Sequence, residues 1–356
     1  MEIGIVGLPN VGKSTLFNAL TSGHAASSNY PFTTIEPNVG IVLVPDPRLT
    51  RLTEIFKPAK VTPAAVRFVD IAGLVKGASQ GEGLGNQFLS HIREVDAIIN
   101  LVRLFKDPDV VHTMGSVDPQ RDVEVIETEL ILADLASMEK QVERVEGKAK
   151  AGDKASREAL EAMSKIKKGL EEGKPARSLG LSKEILKTYS LLTSKPELFV
   201  GNTNENPDPK DIQALENLAR ERGAGYLNLC GKLEAEILQL PPEERPAFMA
   251  ELGMKQTGLE RAIVEAYKLL NLISFLTAGP KEVRAWTIVR GWKAPQAAGV
   301  IHTDFEKGFI RAEVYSFSDI DRLASELAVR EKGLMRSEGK EYVMKDGDVC
   351  NFKFNV

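Results

Sequence analysis

The sequence is poor in cysteine and in aromatic residues. Its 356 residues include two cysteines, Cys230 and Cys350, with no CxxC pair, and aromatic side chains make up 6% of the chain. Zinc sites and disulfide scaffolds need clustered or paired cysteines, so the sequence predicts neither. We interpret both cysteines as small buried apolar residues of a protein in a reducing compartment.

Long hydrophobic runs and an excess of charge of one sign are also missing. No window of about 18 apolar residues occurs, and Met1-Glu2 leads directly into an apolar strand, which leaves no room for a secretion signal. The net charge of −4 gives no overall basic signature, so any contact with nucleic acid must come from a local patch. We expect a soluble, cytoplasmic protein of about two or three domains with no membrane contact.

The most informative segment, residues 7–14, reads GLPNVGKS and matches the phosphate-loop pattern GxxxxGK[ST]. It follows the apolar run 3–6 and precedes a helical pattern, and its glycines let backbone N–H groups turn inward around a phosphate. The motif predicts binding of a nucleoside triphosphate. We expect Lys13 to reach the β- and γ-phosphates and Ser14 to bind Mg²⁺. The predicted phosphate-loop contacts are Asn10, Val11, Gly12, Lys13, Ser14 and Thr15.

A second motif, DxxG, ends a predicted strand. The Asp70 carboxylate would hold the Mg²⁺ shell through water, and the Gly73 N–H would meet a γ-phosphate oxygen. Between the two motifs lies a polar loop with two candidate hydroxyl ligands for Mg²⁺, Thr33 and Thr34.

The chain changes in character along its length. Up to about residue 117, strand-like runs alternate with helical stretches, which is typical of an α/β fold with a mostly parallel sheet. Residues 118–195 are charged and helical, and a break at 147–152 predicts an inserted antiparallel helical hairpin. The α/β pattern returns at residues 197–230. Strands at 283–289 and 349–354, with a short helix near 297–301, predict a small α+β domain after about residue 274.

Taken together, these residues resemble the YchF or Obg-like ATPase family, an Obg-related branch of the translation-factor class of P-loop GTPases. The motifs that carry the resemblance are GLPNVGKST, NYPFTTIEPN, DIAGLVKGASQGEGLGNQFL and NTNE. The resemblance implies a P-loop domain at 1–273, interrupted by a coiled-coil hairpin at 118–195, and a TGS domain of ubiquitin-like β-grasp form at 274–356. It also implies ATP hydrolysis with Mg²⁺, catalytic roles for Lys13 and Gly73, and Thr34 rather than Thr33 as a metal ligand.

The choice of base depends on residues 202–205. Guanine-specific relatives use NKxD, whose carboxylate accepts hydrogen bonds from guanine, whereas Asn202-Thr203-Asn204-Glu205 lacks the lysine and has the longer acid. Guanine recognition is therefore weakened, and the family resemblance supplies the preference for ATP. We expect Asn202 to contact the base, helped by Thr203 and Glu205. By position, Cys230 and Gly231 match the fifth nucleotide-binding motif of these relatives only weakly.

Hydrolysis is expected to be slow. Many relatives place a water-orienting glutamine directly after DxxG, where this chain has Leu74. The family resemblance makes His112 a candidate catalytic residue, although a single histidine in a loop is more often solvated or structural. Asn10 matches an asparagine that helps to hold an activating potassium ion in some related GTPases. A role in stabilising the turn is the favoured alternative for Asn10.

The glycine-rich segment 77–85 predicts a switch that responds to the γ-phosphate. The resemblance implies binding to the ribosome, as large subunit or 70S particle, with rRNA or tRNA as candidate contacts. Lysines on the hairpin are more typical of a solvated helix face. We therefore predict a monomeric, ribosome-associated ATPase that acts as a switch in translation or stress response. The alternative is a GTP-binding switch with negligible turnover.

Overall fold

The chain forms two compact units. The structure, a computed structural model, describes residues 1–22, 38–72 and 84–355. One unit comprises Met1–Ile41 and Arg67–Leu269, and the other comprises Val42–Val66 and Leu270–Val356. No helix in these described ranges is long and apolar enough to cross a membrane.

The strands and helices are numbered in chain order. The strands are β1 (Glu2–Val6), β2 (Val39–Leu43), β3 (Lys60–Thr62), β4 (Ala65–Asp70), β5 (Ala97–Arg103), β6 (Glu197–Asn202), β7 (Gly225–Leu229), β8 (Leu272–Ala278), β9 (Glu282–Val289), β10 (Phe309–Ser316), β11 (Arg336–Glu338) and β12 (Asp348–Phe354). The helices are α1 (Lys13–Ser22), α2 (Pro47–Phe56), α3 (Leu84–Glu94), α4 (Pro119–Lys150), α5 (Lys154–Glu171), α6 (Lys183–Thr188), α7 (Pro209–Glu221), α8 (Gly231–Gln239), α9 (Arg245–Glu251), α10 (Gly258–Leu269), α11 (Ala294–Ile301), α12 (Thr303–Lys307), α13 (Phe317–Leu323) and α14 (Glu326–Glu331).

The first unit is built on a six-stranded sheet in the order β2-β4-β1-β5-β6-β7. β1 pairs in parallel with β4 and β5, and β6 pairs in parallel with β5 and β7. β5 and β6 are buried along their whole length, which explains their nearly unbroken apolar sequences. This arrangement confirms the predicted α/β fold. It also brings the carboxyl ends of β1, β4, β6 and β7 to one edge of the sheet.

The inserted helices form the predicted antiparallel hairpin. Lys167 on α5 lies 3.6 Å from Glu139 on α4, and Arg157 Nε donates to the Ala149 carbonyl at 3.2 Å. The turn lies at the end of the predicted break at 147–152, because α4 continues through Gly147 and ends at Lys150. A glycine inside a helix costs only about 1 kcal/mol, and the turn is made instead by Gly152 in a left-handed conformation (φ 99°).

The first half of α4 belongs to the layer that covers the sheet. Val123 is fully buried and packs in one cluster with Val102, Phe199 and Leu215. Farther along α4, Met138 packs instead against Met163 and other residues of the hairpin. The crossover between β5 and β6 therefore begins as a sheet-covering helix and then extends into the hairpin.

A buried ionic cluster fixes the root of the hairpin to the sheet. Arg177 forms ion pairs with Glu127 of α4 and with Glu197 of β6, the latter at 2.6 Å. Arg222 lies 3.4 Å from Glu127, and Asn100 donates a hydrogen bond to Glu197 at 3.0 Å. Burial raises the pKa of the Glu127 carboxyl, an effect that Arg177 opposes. Two arginines thus balance two buried carboxylates at this junction.

The second unit contains a mixed six-stranded sheet in the order β11-β10-β12-β8-β9-β3. β8 and β9 form an antiparallel pair, β12 lies parallel to β8, and β10 is antiparallel to both β12 and β11. One face packs on α11 through a core that includes Phe275, Ala297 and Phe352. The predicted C-terminal strands and helix are confirmed, and the strand order agrees with the expected β-grasp form.

One segment lies in a different unit from the one that sequence analysis suggested. Residues 42–66 were counted within the nucleotide-binding region, whereas they form part of the second unit. β3 pairs in parallel with β9, with Val61 opposite Val283, and Arg48 lies 3.1 Å from Asp346. These pairings join residues more than two hundred positions apart, so no local pattern reveals them. The predicted domain limits at 273 and 274 stay a prediction.

Candidate nucleotide-binding site

The phosphate loop connects β1 to α1 in the conformation that the motif predicts. Asn10 and Gly12 both have left-handed backbone conformations, with φ 62° and 92°. Helix α1 begins directly afterwards, and the Leu16 N–H donates to the Gly12 carbonyl at 2.9 Å. A side chain at Gly7 would place its Cβ 2.8 Å from the Leu101 carbonyl oxygen, so only glycine fits there. The loop thus turns tightly over β5 into a helix N-terminus, which favours an anion.

Lys13 and Asp70 meet at this edge of the sheet. The Lys13 ammonium group forms an ion pair with the Asp70 carboxylate, and the two side chains are 14% and 17% exposed. Ser14 and Thr15 lie on the first turn of α1, and both are exposed. A hydroxyl and a carboxylate are oxygen ligands of the kind that Mg²⁺ prefers, so these residues fit the predicted ion. The other predicted residues, Thr34 and Gly73, lie outside the described residues.

Asn202 connects the phosphate loop to the start of α8. Its Nδ2 donates to the Val11 carbonyl, and its Oδ1 accepts the Gly231 N–H, both at 2.9 Å. The residue is 7% exposed. A Cβ at Gly231 would lie 3.0 Å from Asn202 Oδ1, and a Cβ at Gly12 would collide with Asn202 Nδ2. The structure therefore brings together four residues that sequence analysis assigned to the nucleotide: Val11, Gly12, Asn202 and Gly231.

The neighbours of Asn202 have different surroundings. The Thr203 N–H and hydroxyl both donate to the Leu229 carbonyl, at 2.8 and 3.1 Å, so its side chain is bound to the end of β7. Glu205 is exposed and lies 3.9 Å from Lys232 Nζ, a surface pair that contributes little energy. Cys230 is half-buried at the N-terminus of α8. Base contact by Asn202, Thr203, Glu205 and Cys230 stays a prediction.

His112 is held in a network of hydrogen bonds. Its Nδ1 accepts the Met114 N–H at 3.1 Å, which leaves the ring proton on Nε2, 3.0 Å from Asp122 Oδ2. The His112 side chain is only 7% exposed, and Arg121 Nη2 donates to the other oxygen of Asp122 at 2.9 Å. Both ring nitrogens are thus already bonded. This geometry favours the structural interpretation of His112, and its catalytic role stays a prediction.

Two residues that contact the loop after β5, Arg103 and Asn204, were not assigned by sequence analysis. Arg103 is 3% exposed, although it ends a mostly apolar strand. A lone arginine after such a run is a usable signal, since buried arginines need several partners. The Asn204 side chain bonds to the Lys106 backbone, accepting the N–H at 2.9 Å and donating to the carbonyl at 3.3 Å. Asn10 Nδ2 donates to the Val111 carbonyl at 3.1 Å.

Two family models match parts of this chain. A family model described as "50S ribosome-binding GTPase" matches residues 2–131. A model for the YchF GTPase C-terminal domain, described as a protein of unknown function, matches residues 272–355. Together the two matches cover the phosphate loop, the DxxG motif and most of the second unit.

Full-length relatives are also known. A protein of Bacillus subtilis named "Ribosome-binding ATPase YchF" is 52% identical over 100% of both chains. One of Escherichia coli O157:H7 with the same name is 52% identical over 100% of this chain and 99% of its own. The solved structure of the Schizosaccharomyces pombe YchF GTPase matches with a TM-score of 0.88 and 39% identity, covering 99% of this chain and 97% of that one. The chain therefore belongs to the YchF family.

Proposed function

We propose that this protein is a ribosome-associated ATPase that hydrolyses ATP to ADP and phosphate and acts as a nucleotide-dependent switch. The observation that carries the proposal is the convergence of Lys13, Asp70 and the Asn202 bridge at one sheet edge. Relatives that are about half identical over their full length are named ribosome-binding ATPases. A ribosomal role in translation or stress response, and a cytoplasmic location, follow from the same proposal.

The phosphate side of the site divides its work among a few residues. Lys13 binds the β- and γ-phosphates, and the Gly73 N–H meets the γ-phosphate. Ser14, Thr34 and Asp70 would hold Mg²⁺ through their side-chain oxygens. When bound, Mg²⁺ neutralises charge on the β- and γ-phosphate oxygens.

For Asn10 we keep the loop-stabilising role first, because its amide already bonds Val111. Potassium binding is the alternative role. A comparison of hydrolysis rates in KCl and NaCl separates the two, because only a potassium site makes the rate depend on the choice of cation.

The base side favours adenine over guanine in this proposal. Asn202 uses one amide hydrogen on Val11 and one oxygen lone pair on Gly231. The Asn202 side chain therefore keeps one N–H donor and one oxygen lone pair, with which it could form hydrogen bonds to the edge of a base. Glu205 stands where guanine-specific relatives have aspartate, and it lies 3.9 Å from Lys232. The Glu205 carboxylate would gain no hydrogen bond from adenine there, because adenine has no 2-amino group.

Turnover is expected to be slow without a partner. Leu74 has no polar atom with which to orient the attacking water, and His112 is bonded on both ring nitrogens. The ribosome, as large subunit or 70S particle, is the proposed partner, through contacts with rRNA or tRNA. We expect the free protein to be a monomer.

The second candidate function is a GTP-binding switch with negligible turnover. Two observations favour it: the fission-yeast relative is named a GTPase, and the model that matches residues 2–131 is described as a GTPase. Both candidates use the same site, so the nucleotide that binds more tightly separates them.

The deciding experiment is an equilibrium titration with fluorescent ATP and GTP analogues in Mg²⁺, followed by hydrolysis assays with and without 70S ribosomes. We expect tighter binding of the ATP analogue and an ATPase rate that ribosomes increase. A clear preference for the GTP analogue would promote the second candidate. Failure to bind either analogue would overturn both.

A further inference from the structure

Residues 104–111 connect the two ends of the candidate nucleotide site, and we call them the strap. At the base end, the Leu104 N–H donates to the Asn202 carbonyl at 2.8 Å. The Asn204 side chain forms two bonds with the Lys106 backbone, at 2.9 and 3.3 Å. At the phosphate end, the Val111 carbonyl accepts a hydrogen bond from Asn10 at 3.1 Å.

Arg103 holds the strap in one shape. Its guanidinium group donates to the carbonyl oxygens of Phe105, Asp107, Val110 and Val111, at 3.1, 3.4, 2.9 and 3.5 Å. It also lies over the Phe105 ring, 4.3 Å from the ring centre. A planar group with five fixed donors can impose a single arrangement on several carbonyls at once. Because Arg103 ends the central strand β5, the strap is anchored in the sheet.

The phosphate end needs this support. Asn10 has a left-handed backbone conformation with φ 62°, which is sparsely populated for residues other than glycine. Its side-chain bond to Val111 helps to hold that conformation. The inward N–H groups of a phosphate loop depend on such backbone angles, so displacement of Val111 would alter the phosphate site.

We propose that the strap makes the base motif and the phosphate loop one mechanical unit, with Asn204 as a positioning residue for the nucleotide. Asn204 acts through Lys106 and the strap rather than by touching the phosphates. This inference rests on the proposed function, because its consequence is tighter binding of ATP. Its structural part, the coupling of Asn204 to the phosphate loop, can be measured without any nucleotide.

The first experiment follows hydrogen exchange by mass spectrometry in the full-length Asn204→Ala variant, with no nucleotide added. The matched control is Asn217→Ala, which removes an exposed amide bonded to Gln213 on α7. We expect faster exchange both at residues 104–111 and at residues 7–16 in Asn204→Ala, and no change there in the control. Faster exchange confined to residues 104–108 would overturn the coupling, since the effect would not reach the phosphate loop.

The second experiment measures ATP affinity in Asn204→Ala, Asn10→Ala and the double variant. Each single substitution removes hydrogen bonds, and we expect it to weaken ATP binding by about fivefold. If both residues act through the strap, the ATP affinity of the double variant should be about the same as the lower of the two single-variant affinities. A weakening that equals the product of the two, about 25-fold, would show independent effects and refute the proposal.

A conservative variant separates positioning from general destabilisation. Asn204→Asp keeps an oxygen that accepts the Lys106 N–H and loses the donor to the Lys106 carbonyl, so its ATP affinity should fall between wild type and Asn204→Ala. An affinity for Asn204→Asp no better than that of Asn204→Ala would contradict the positioning role. If the wild-type protein binds neither ATP nor GTP, the proposed function fails, and the exchange experiment alone decides the coupling.

Discussion

Replacing Asn202 with alanine tests whether the site is organised around this amide. In the structure, the side chain joins the Val11 carbonyl to the Gly231 N–H, with both bonds at 2.9 Å. No other bridge between the phosphate loop and the start of α8 is seen within the residues that the structure describes. The Asn202→Ala variant therefore leaves one acceptor and one donor without their partner at a position that is only 7% exposed.

The magnitude follows from the two groups left behind. An unsatisfied buried polar group costs about 1–3 kcal/mol. Partial access of water lowers the penalty, so we expect a loss of about 2–4 kcal/mol in the free energy of unfolding. ATP affinity should fall by about tenfold or more, because the direct hydrogen-bonded link between the phosphate loop and the start of α8 is lost. Asn202→Asp should also be destabilised, since a carboxylate cannot donate to Val11.

Urea titrations followed by circular dichroism measure the first effect, and titration with a fluorescent ATP analogue measures the second. Asn217→Ala serves as the control, because it removes an exposed amide bond and should change neither quantity by more than about 0.5 kcal/mol. An Asn202→Ala protein as stable as wild type would refute the reasoning. It would mean that the bridge contributes nothing to the fold and that Asn202 acts only on the base.

Two further predictions concern other buried groups. His112→Ala should lower the free energy of unfolding by about 1.5–3 kcal/mol, because the Asp122 carboxylate loses a donor. The rate of ATP turnover should stay within about threefold of wild type. A variant with wild-type stability and a roughly 100-fold slower turnover would instead identify a catalytic histidine. Burial raises the pKa of Asp134, whose carboxylate accepts bonds from Leu192 and Thr193. Because the pKa of Asp134 is raised in the folded protein, this group stabilises the fold at pH values below its pKa in the unfolded chain, about 3.9. That stabilisation is lost as the pH rises through its pKa in the folded protein. The stability of wild type relative to Asp134→Asn should therefore decrease in urea titrations as the pH rises above about 4, and a difference that stays constant with pH would contradict this.

Local pattern was sufficient for much of the fold. β5 and β6 lie where the α/β pattern of the sequence places strand-like apolar runs, because buried parallel strands have almost continuous apolar sequence. The phosphate loop and Asp70 were identified because their chemistry requires particular residue types at fixed spacing. Their meeting at one sheet edge then follows from parallel pairing of the strands.

Other features depend on contacts that no local pattern encodes. The pairing of β3 with β9 joins Val61 to Val283 and places residues 42–66 in the second unit. His112 reads as a loop residue in sequence, yet Asp122 and the Met114 N–H enclose it. Asn204 belongs to a recognised motif, but its bond to Lys106 requires the relative positions of two strand ends. Sequence therefore indicates which residues bear chemistry more readily than which neighbours hold them.

The two sides of the site differ in how their polar groups are satisfied. On the base side, Asn202 already bonds both loops and can add a nucleotide contact without giving up a partner. On the phosphate side, Lys13 is paired with Asp70, so a triphosphate that engaged Lys13 would lie close to that carboxylate. The triphosphate would add negative charge beside Asp70, and like charges at such distances repel unless a cation lies between them. Asp70 would help to hold Mg²⁺, whose charge would offset this repulsion, so we expect the triphosphate to bind more tightly with Mg²⁺ than without it.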